Sequence, residues 1–390
     1  MSRSEDTVRR ALAGMRAPDE RAARERAWAT VRAAYADRPA PAPARPRRRL
    51  AAVPAVAVVL AAVALSPAGA TVTRIINRAL SVPHIAPATG LSLPAPGKLL
   101  VSDARGTWVV SSTGTVRRLG PWTQASWSPR GLYVAVASAG SLAAVDPTGA
   151  VAWRLSVRGA SDPRWYLPSG YRVAYRAGGD LRELAGDGSG DHLLATGVAP
   201  IAPAWRPGHD FQLAYANGRG AIVVVNGDTG AGVWRSRPHP GRPLALNWSP
   251  DGSRLSLVTS AGAWLMLPGQ SPPLSVRLPV RGPLLAAAAS PDGRRLALIG
   301  GGPIRQLQIA DLTAPTRPLR TMLSGLAVTA PTWSADGRWL LVSWTAQDQW
   351  LFVHVAGRSR TLAASRVARR LGARGAGAGP LRVDGWCCAP

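Results

Sequence analysis

Over most of the chain, short apolar runs alternate with clusters of Ser, Pro, Asp and Gly, and the alternation keeps a steady beat. The stretch "NWSPDGSRLSLVTS" from Asn247 shows the unit. An apolar strand ends at a Trp, a Ser-Pro-Asp-Gly turn follows, and a second strand sets Leu255, Leu257 and Thr259 on one face. Close copies begin at Ala125 ("ASWSPRGLYVAVAS"), Ala288 ("AASPDGRRLALIG") and Pro331 ("PTWSADGRWLLVSW"). Looser ones begin at Pro163 ("PRWYLPSGYRVAYR") and Pro203 ("PAWRPGHDFQLAYA"). The markers Trp127, Trp165, Trp205, Trp248, Ala289 (where Trp is replaced) and Trp333 stand 38, 40, 43, 41 and 44 residues apart. A repeat of about 40–45 residues made of short strands predicts the blades of a β-propeller.

The turn has its own chemistry. Pro presets φ, Asp bonds back to the local backbone, and Gly takes the positive φ that other residues resist. Asp251, Asp292 and Asp336 are therefore read as turn residues rather than as a ring of metal ligands. A third and a fourth strand follow each turn, joined by "DPTG" from Asp146, "GDGSG" from Gly186 or "NGDTG" from Asn226. At the two ends of this region the blades are incomplete. Lys98–Gly120 supplies three strands without a first, and "PLRVDGWCC" from Pro380 supplies a lone first strand with Trp386 at the marker position. Joining them closes the ring and removes the open edges a linear array would expose. The expected fold is all-β: a seven-bladed β-propeller over 98–390, closed by its N- and C-terminal strands. Six blades are the alternative if the last strand lies elsewhere.

The Trp-Ser-Pro-Asp-Gly core resembles the TolB-type, WD-repeat-like propeller repeat over about three quarters of the chain. The copies at Trp165 and Trp205 depart from it. That resemblance implies the fold and leaves function open, since propellers host many functions. The whole layout is also similar to that of actinobacterial-type proteins joining an Arg-rich N-terminus, one membrane segment and a propeller.

Ahead of the repeats, no charge interrupts Leu50 to Val72, and "RPRRR" at Arg45–Arg49 abuts the run. About 20 apolar residues suffice to span a bilayer as a helix, and the basic flank places its N-terminal end in the cytoplasm. Residues 50–72 are thus expected to be a signal anchor with the propeller extracytoplasmic. "AGA" at Ala68–Ala70 has the form of a cleavage site, but the 49 residues before the run exceed an ordinary n-region. Within 1–49, Val8, Leu12 and Met15, and again Ala27, Val31 and Tyr35, recur at helical spacing, ahead of a Pro/Arg-rich tether. Residues 73–97 are expected to form an interfacial helix and a Pro-rich spacer.

Charge changes the picture of partners. The 47 basic and 21 acidic residues give a formal +26. Met1–Arg49 holds 13 Arg and 6 acids, so about +19 belongs to the rest. Such a surface attracts polyanions. Nucleic acid is not expected, because no concentrated basic element pairs with a recognition motif. Anionic envelope polymers or lipid headgroups suit an exported propeller better. All basic residues but Lys98 are Arg, a bias that a GC-rich coding sequence would also produce.

The candidate chemistry is thin. His84, His192, His209, His239 and His354 are scattered, and there is no Gly-x-Ser-x-Gly elbow. "GARGAGAG" from Gly372 lacks the Lys-Ser/Thr of a phosphate loop, and "GDGSGDH" from Gly186 lacks the Glu of a calcium loop. Both read as connections. The aromatics of Trp339–Phe352 read as core on strand alternation. Cys387 and Cys388 are the only cysteines, adjacent, and compatible with either free thiols or a disulfide. No catalytic, cofactor-binding or metal-ligating residue is assigned, no cofactor is expected, and the ligand-binding residues are left unassigned. The leading expectation is a non-enzymatic protein- or ligand-binding module working at the propeller face. The alternative is a transmembrane regulator whose residues 1–38 bind a cytoplasmic partner; its layout is similar to that of membrane-anchored anti-sigma factors, without their zinc-binding signature. A propeller lyase or hydrolase is disfavoured.

Overall fold

The computed structural model describes residues 85–388 apart from 89, 168, 270–272, 303, 358–359 and 374–378. The expected anchor and cytoplasmic helices lie outside the described residues, among which no helix is long and apolar enough to cross a membrane. What is described is a seven-bladed propeller of antiparallel sheets.

Blade 1 takes its first strand from the far end of the chain. Arg382–Cys387 pairs with Lys98–Ser102, followed by Thr107–Ser111 and Val116–Gly120. Blades 2 to 7 run consecutively, with first strands Gln124–Trp127, Ala160–Trp165, Ala204–Trp205, Pro243–Trp248, Leu284–Ala289 and Thr329–Trp333. Each of these ends at the marker residue, as the repeat predicts. The seven first strands touch in succession and close a ring, so they line the axis. Seven blades, not six, complete it.

The core is divided rather than central. Seven apolar clusters each fill one junction between neighbouring blades. The second strands bury both faces: Leu255 and Leu257 look into the junction of blades 4 and 5, while Val258 looks into the next. That is why these strands read as nearly continuous apolar runs.

Three of the marker tryptophans tie their blade to the one before. Trp205 Nε1 donates to the Arg164 carbonyl (3.0 Å), Trp248 to Ala204 (3.1 Å) and Trp333 to Ala288 (2.9 Å). Each acceptor directly precedes the marker of the preceding blade. These three rings supply large buried area while their one polar atom stays satisfied, whereas the indole nitrogens of Trp127 and Trp165 have no partner among the described residues.

The turns behave as their residues dictate. Ser249, Ser290 and Ser334 donate to Asp251, Asp292 and Asp336, and each hydroxyl accepts an amide from the start of the next strand. Gly252, Gly293 and Gly337 sit at φ +66°, +64° and +66°. The carboxylates thus have structural duties inside their own turns.

The expected spacer contributes structure of its own. Ile85–Pro87 adds a fifth strand, parallel to Thr361–Ser365, on the outside of blade 7. Pro is tolerated there because an outermost strand has amides that need no sheet partner. Leu91 and Ala95 then enter the cluster between blades 7 and 1, alongside Val367, Leu371 and Trp386. The short helix Val367–Arg370 covers the same seam.

Trp386 anchors the closing strand: it is 6% exposed and donates to the Pro96 carbonyl at 3.1 Å. Trp386→Ala is expected to lower stability by about 3–5 kcal/mol, the range for large-to-small aromatic truncation in a core. Chemical denaturation of the full chain measures it, and a loss under about 1 kcal/mol would show that the strand does not hold the ring.

Candidate functional site

Polar residues gather where the first strands of blades 1, 2 and 3 meet around the axis. On the closing strand, Asp384 is 6% exposed and accepts from Arg382 Nε (2.6 Å) and from the Ser102 hydroxyl. Arg382 also reaches blade 2, donating from Nη2 to the Thr123 carbonyl at 2.9 Å. In blade 3, Asp162 takes a left-handed φ of +51°, which Asp tolerates better than most residues. Its amide donates to Gln124 of blade 2, and its carboxylate accepts from Arg176 at 2.9 Å. A bulge against the second strand accompanies this kink.

Arg164 of blade 3 and Asp384 of blade 1 feel each other although blade 2 stands between them, which puts both near the axis. Burial lowers the Arg164 pKa, with Asp162 and Asp384 opposing that fall. Burial likewise raises that of Asp384, against the pull of Arg382, Ser102 and Arg164. This is a fixed polar lining of mixed sign, its carboxylates held by neighbouring donors.

A second polar group lies between blades 3 and 4. Glu183 is buried (1% exposed) with Arg172 Nε at 2.9 Å and His192 Nε2 at 3.6 Å. The Arg172 Nε–H is directed to Asp228 of blade 4 at 2.8 Å, and neither Glu183 oxygen has a hydrogen bond among the described residues. The guanidinium also stacks on Phe211 at 4.6 Å. Burial pushes the Glu183 carboxyl up to about 7, the negative charge of Asp228 adds to it, and His192 and Arg172 only partly oppose it. His192 is itself raised, chiefly by the Gly190 carbonyl. Alongside, Arg182 grips Asp191 at 2.8 Å and Tyr175 donates to the same carboxylate at 2.7 Å.

The other sequence-level candidates fall into place individually. "GDGSG" is the last hairpin of blade 3, where the Asp187 carboxylate accepts the Ser189 amide. His209 bonds the Pro207 carbonyl, while His239 and His354 rest against Trp264 and Trp339. His84 lies outside the described residues, as does most of the "GARGAGAG" segment. Trp350 and Phe352 are buried, and Trp339 and Trp344 flank the same clusters. Cys387 and Cys388 form a disulfide whose sulfurs lie against Gly131 of blade 2; a Cβ there would stand 2.6 Å from Cys388 Sγ. Among the described residues, no group of three His, Cys, Asp or Glu is placed to hold a metal ion.

Neither polar group was found from the sequence. Arg164 and Asp384 are far apart in the chain, and Glu183 and Asp228 meet only because consecutive blades pack. One local signal existed: Glu183 is a charged residue on an otherwise apolar strand, "DLRELA".

No family model and no curated protein matches this chain. Among solved structures it is similar to the β-propeller domain of Cps50 (Swd1) from Myceliophteria thermophila. The TM-score is 0.51 at 16% identity, covering 62% of this chain and 86% of that one. The protein is therefore a seven-bladed β-propeller with a WD-repeat-type structural neighbour.

Glu183 makes a pH prediction. Its folded pKa is above its unfolded value of 4.5, so between about pH 4.5 and 7 the native state holds a proton that the unfolded chain releases. Stability must then fall as pH rises through this window, by about 3 kcal/mol at most if the whole shift is expressed. His192, also raised, loses its contribution in the same direction as it deprotonates. Glu183→Gln is expected to flatten the fall. Denaturation midpoints between pH 4.5 and 8 test this, and an unchanged slope in the variant would refute it.

Proposed function

We propose that this chain is a membrane-anchored, extracytoplasmic β-propeller acting as a non-enzymatic binding module, with its ligand at the axial opening of blades 1 to 3. One observation carries the preference for binding over catalysis. Asp384 is held by Arg382 and Ser102, and Asp162 by Arg176. Carboxylates tied in this way are fixed electrostatic features, poorly placed to trade protons with a substrate. A lyase or hydrolase reading has no such support.

The apolar run Leu50–Val72 with its basic flank supports the anchor and the outward orientation of the propeller. The Cys387–Cys388 disulfide suits an oxidising compartment. The ligand is a protein or an envelope polymer presenting both charge signs to Arg382, Arg176 and their carboxylates. A second reading, a transmembrane regulator, draws on the helical spacing of Val8, Leu12 and Met15 and of Ala27, Val31 and Tyr35. In it residues 1–38 hold a cytoplasmic partner while the propeller senses.

Crosslinked pull-down from intact cells separates the readings, comparing the full chain, a variant lacking Thr7–Arg38, and the charge reversal Arg382→Glu. The binding-module reading expects the same envelope partners from the first two and their loss in the third. Recovery of a cytoplasmic regulator by the full chain alone, with Arg382→Glu behaving as wild type, would overturn it in favour of the regulator.

A further inference from the structure

Between the outer strands of blade 1 and the helix Val367–Arg370 lies an open cleft of about 550 Å³. Arg105, Arg118 and Arg370 line it, with Trp108 and Leu371 as apolar floor. Among the described residues, no carboxylate lines its walls. Among the described residues, none of the three guanidiniums takes part in an ion pair. The acid nearest in sequence, Asp103, turns Oδ1 to the backbone amides of Arg105 and Gly106 at 2.7 and 2.9 Å.

Each arginine is placed by local structure. Arg105 sits in the turn between the second and third strands of blade 1. Arg118 lies across Gly106, where a Cβ would approach its Nε to 3.1 Å, and its Nη2 donates to the Arg105 carbonyl at 2.9 Å. Arg370 ends the short helix and leans over Gly90, whose added Cβ would stand 2.9 Å from Nη1.

The second observation is an unmet donor. Arg105 Nε is shielded from solvent and has no hydrogen-bond partner among the described residues. A buried charged donor without an acceptor is costly, so the Arg105 guanidinium carries uncompensated charge that an anion lodged in the cleft beside it would offset. Three positive charges facing one space also repel each other, so an anion between them relieves that strain too.

We propose that this cleft is a binding site for a phosphate-type oxyanion. Guanidinium forks match phosphate geometry with paired N–H···O bonds, and three forks arriving from different chain segments suit a tetrahedral group with several oxygens. The apolar floor of Trp108 and Leu371, each 4% exposed, strengthens those bonds by excluding water on one side. The phosphate is either free or borne by a lipid headgroup; the donor set is the same for both.

The test uses the full chain in a neutral detergent, titrated with inorganic phosphate and with a short-chain phosphatidylglycerol, against chloride of equal ionic strength. Calorimetry reads the affinity. Binding beyond the chloride control is expected for at least one probe. Arg118→Gln and Arg370→Gln are each expected to weaken it roughly tenfold, about 1.4 kcal/mol apiece. Arg118→Lys should restore only part, because a point charge lacks the fork. Arg317→Gln, an exposed arginine outside the cleft, should leave binding unchanged. Tighter binding of the lipid diester assigns the site to a headgroup, and tighter binding of inorganic phosphate assigns it to the free ion. Binding no stronger than the chloride control, or equal in wild type and both Gln variants, overturns the proposal. Circular dichroism of each variant, both residues being exposed, confirms that a loss is not unfolding.

Discussion

Everything in this propeller depends on one strand pairing, that of Arg382–Cys387 with Lys98–Ser102. Each blade is a sheet with two buried faces, and it stays buried only while both neighbours are present. A chain cannot provide that for its end blades unless the ends meet. The cost is entropic: the pairing joins residues 282 apart, as the Ser102–Asp384 bond illustrates. The gain is cooperative, because the ring has no terminal junction left to open. The cluster at this seam is correspondingly reinforced, drawing Leu91 and Ala95 from before the first blade and Val367 and Leu371 from after the last.

The indole tie joins blades 4, 5 and 7 to the blade before, whereas the buried indole nitrogens of Trp127 and Trp165 have no partner among the described residues. Blade 6 has Ala289 where the others have Trp, and no indole there reaches back to the Asn247 carbonyl. Ser256 takes that carbonyl instead, at 3.1 Å. A small cleft bordered by Trp248, Arg254 and Ala289 marks the missing ring, and the Asn247 amide nitrogen is left without a partner among the described residues. Arg254 bridges the gap by donating to the Leu312 carbonyl at 3.1 Å. The repeat therefore tolerates loss of its most visible residue because a second, less visible tie crosses the same junction.

This explains what the sequence revealed and what it hid. The Trp markers and Ser-Pro-Asp-Gly turns are local in sequence and local in effect, so they located every blade, including the split one through Trp386. Ile85–Pro87 had no such marker: three residues with a Pro carry no strand pattern, and only the exposed outer edge of blade 7 gives them a partner. The axial group and the Glu183 group are assembled from residues of different blades. Their positions follow from the angle and register between sheets, which no single repeat encodes. The membrane anchor rests on composition and flanking charge alone, since residues 50–72 lie outside the described residues.

The arginine excess shows the same limit from another side. As composition it looks like a coding bias or a uniformly basic surface. In the fold, many of these residues have distinct jobs that a lysine would do less well. Arg206 and Arg295 donate to the carbonyls of Gly252 and Gly337 in the next blade while stacking over Trp248 and Trp333 at 4.9 Å. Arg172, Arg176, Arg182 and Arg382 neutralise carboxylates. Net charge cannot distinguish such clamps from arginines that face solvent without a counter-charge. The distinction is made by whether a carbonyl or carboxylate of the neighbouring blade comes within reach. For Arg105, Arg118 and Arg370 no carboxylate among the described residues does, which is the ground on which the cleft they line is proposed to take an anion.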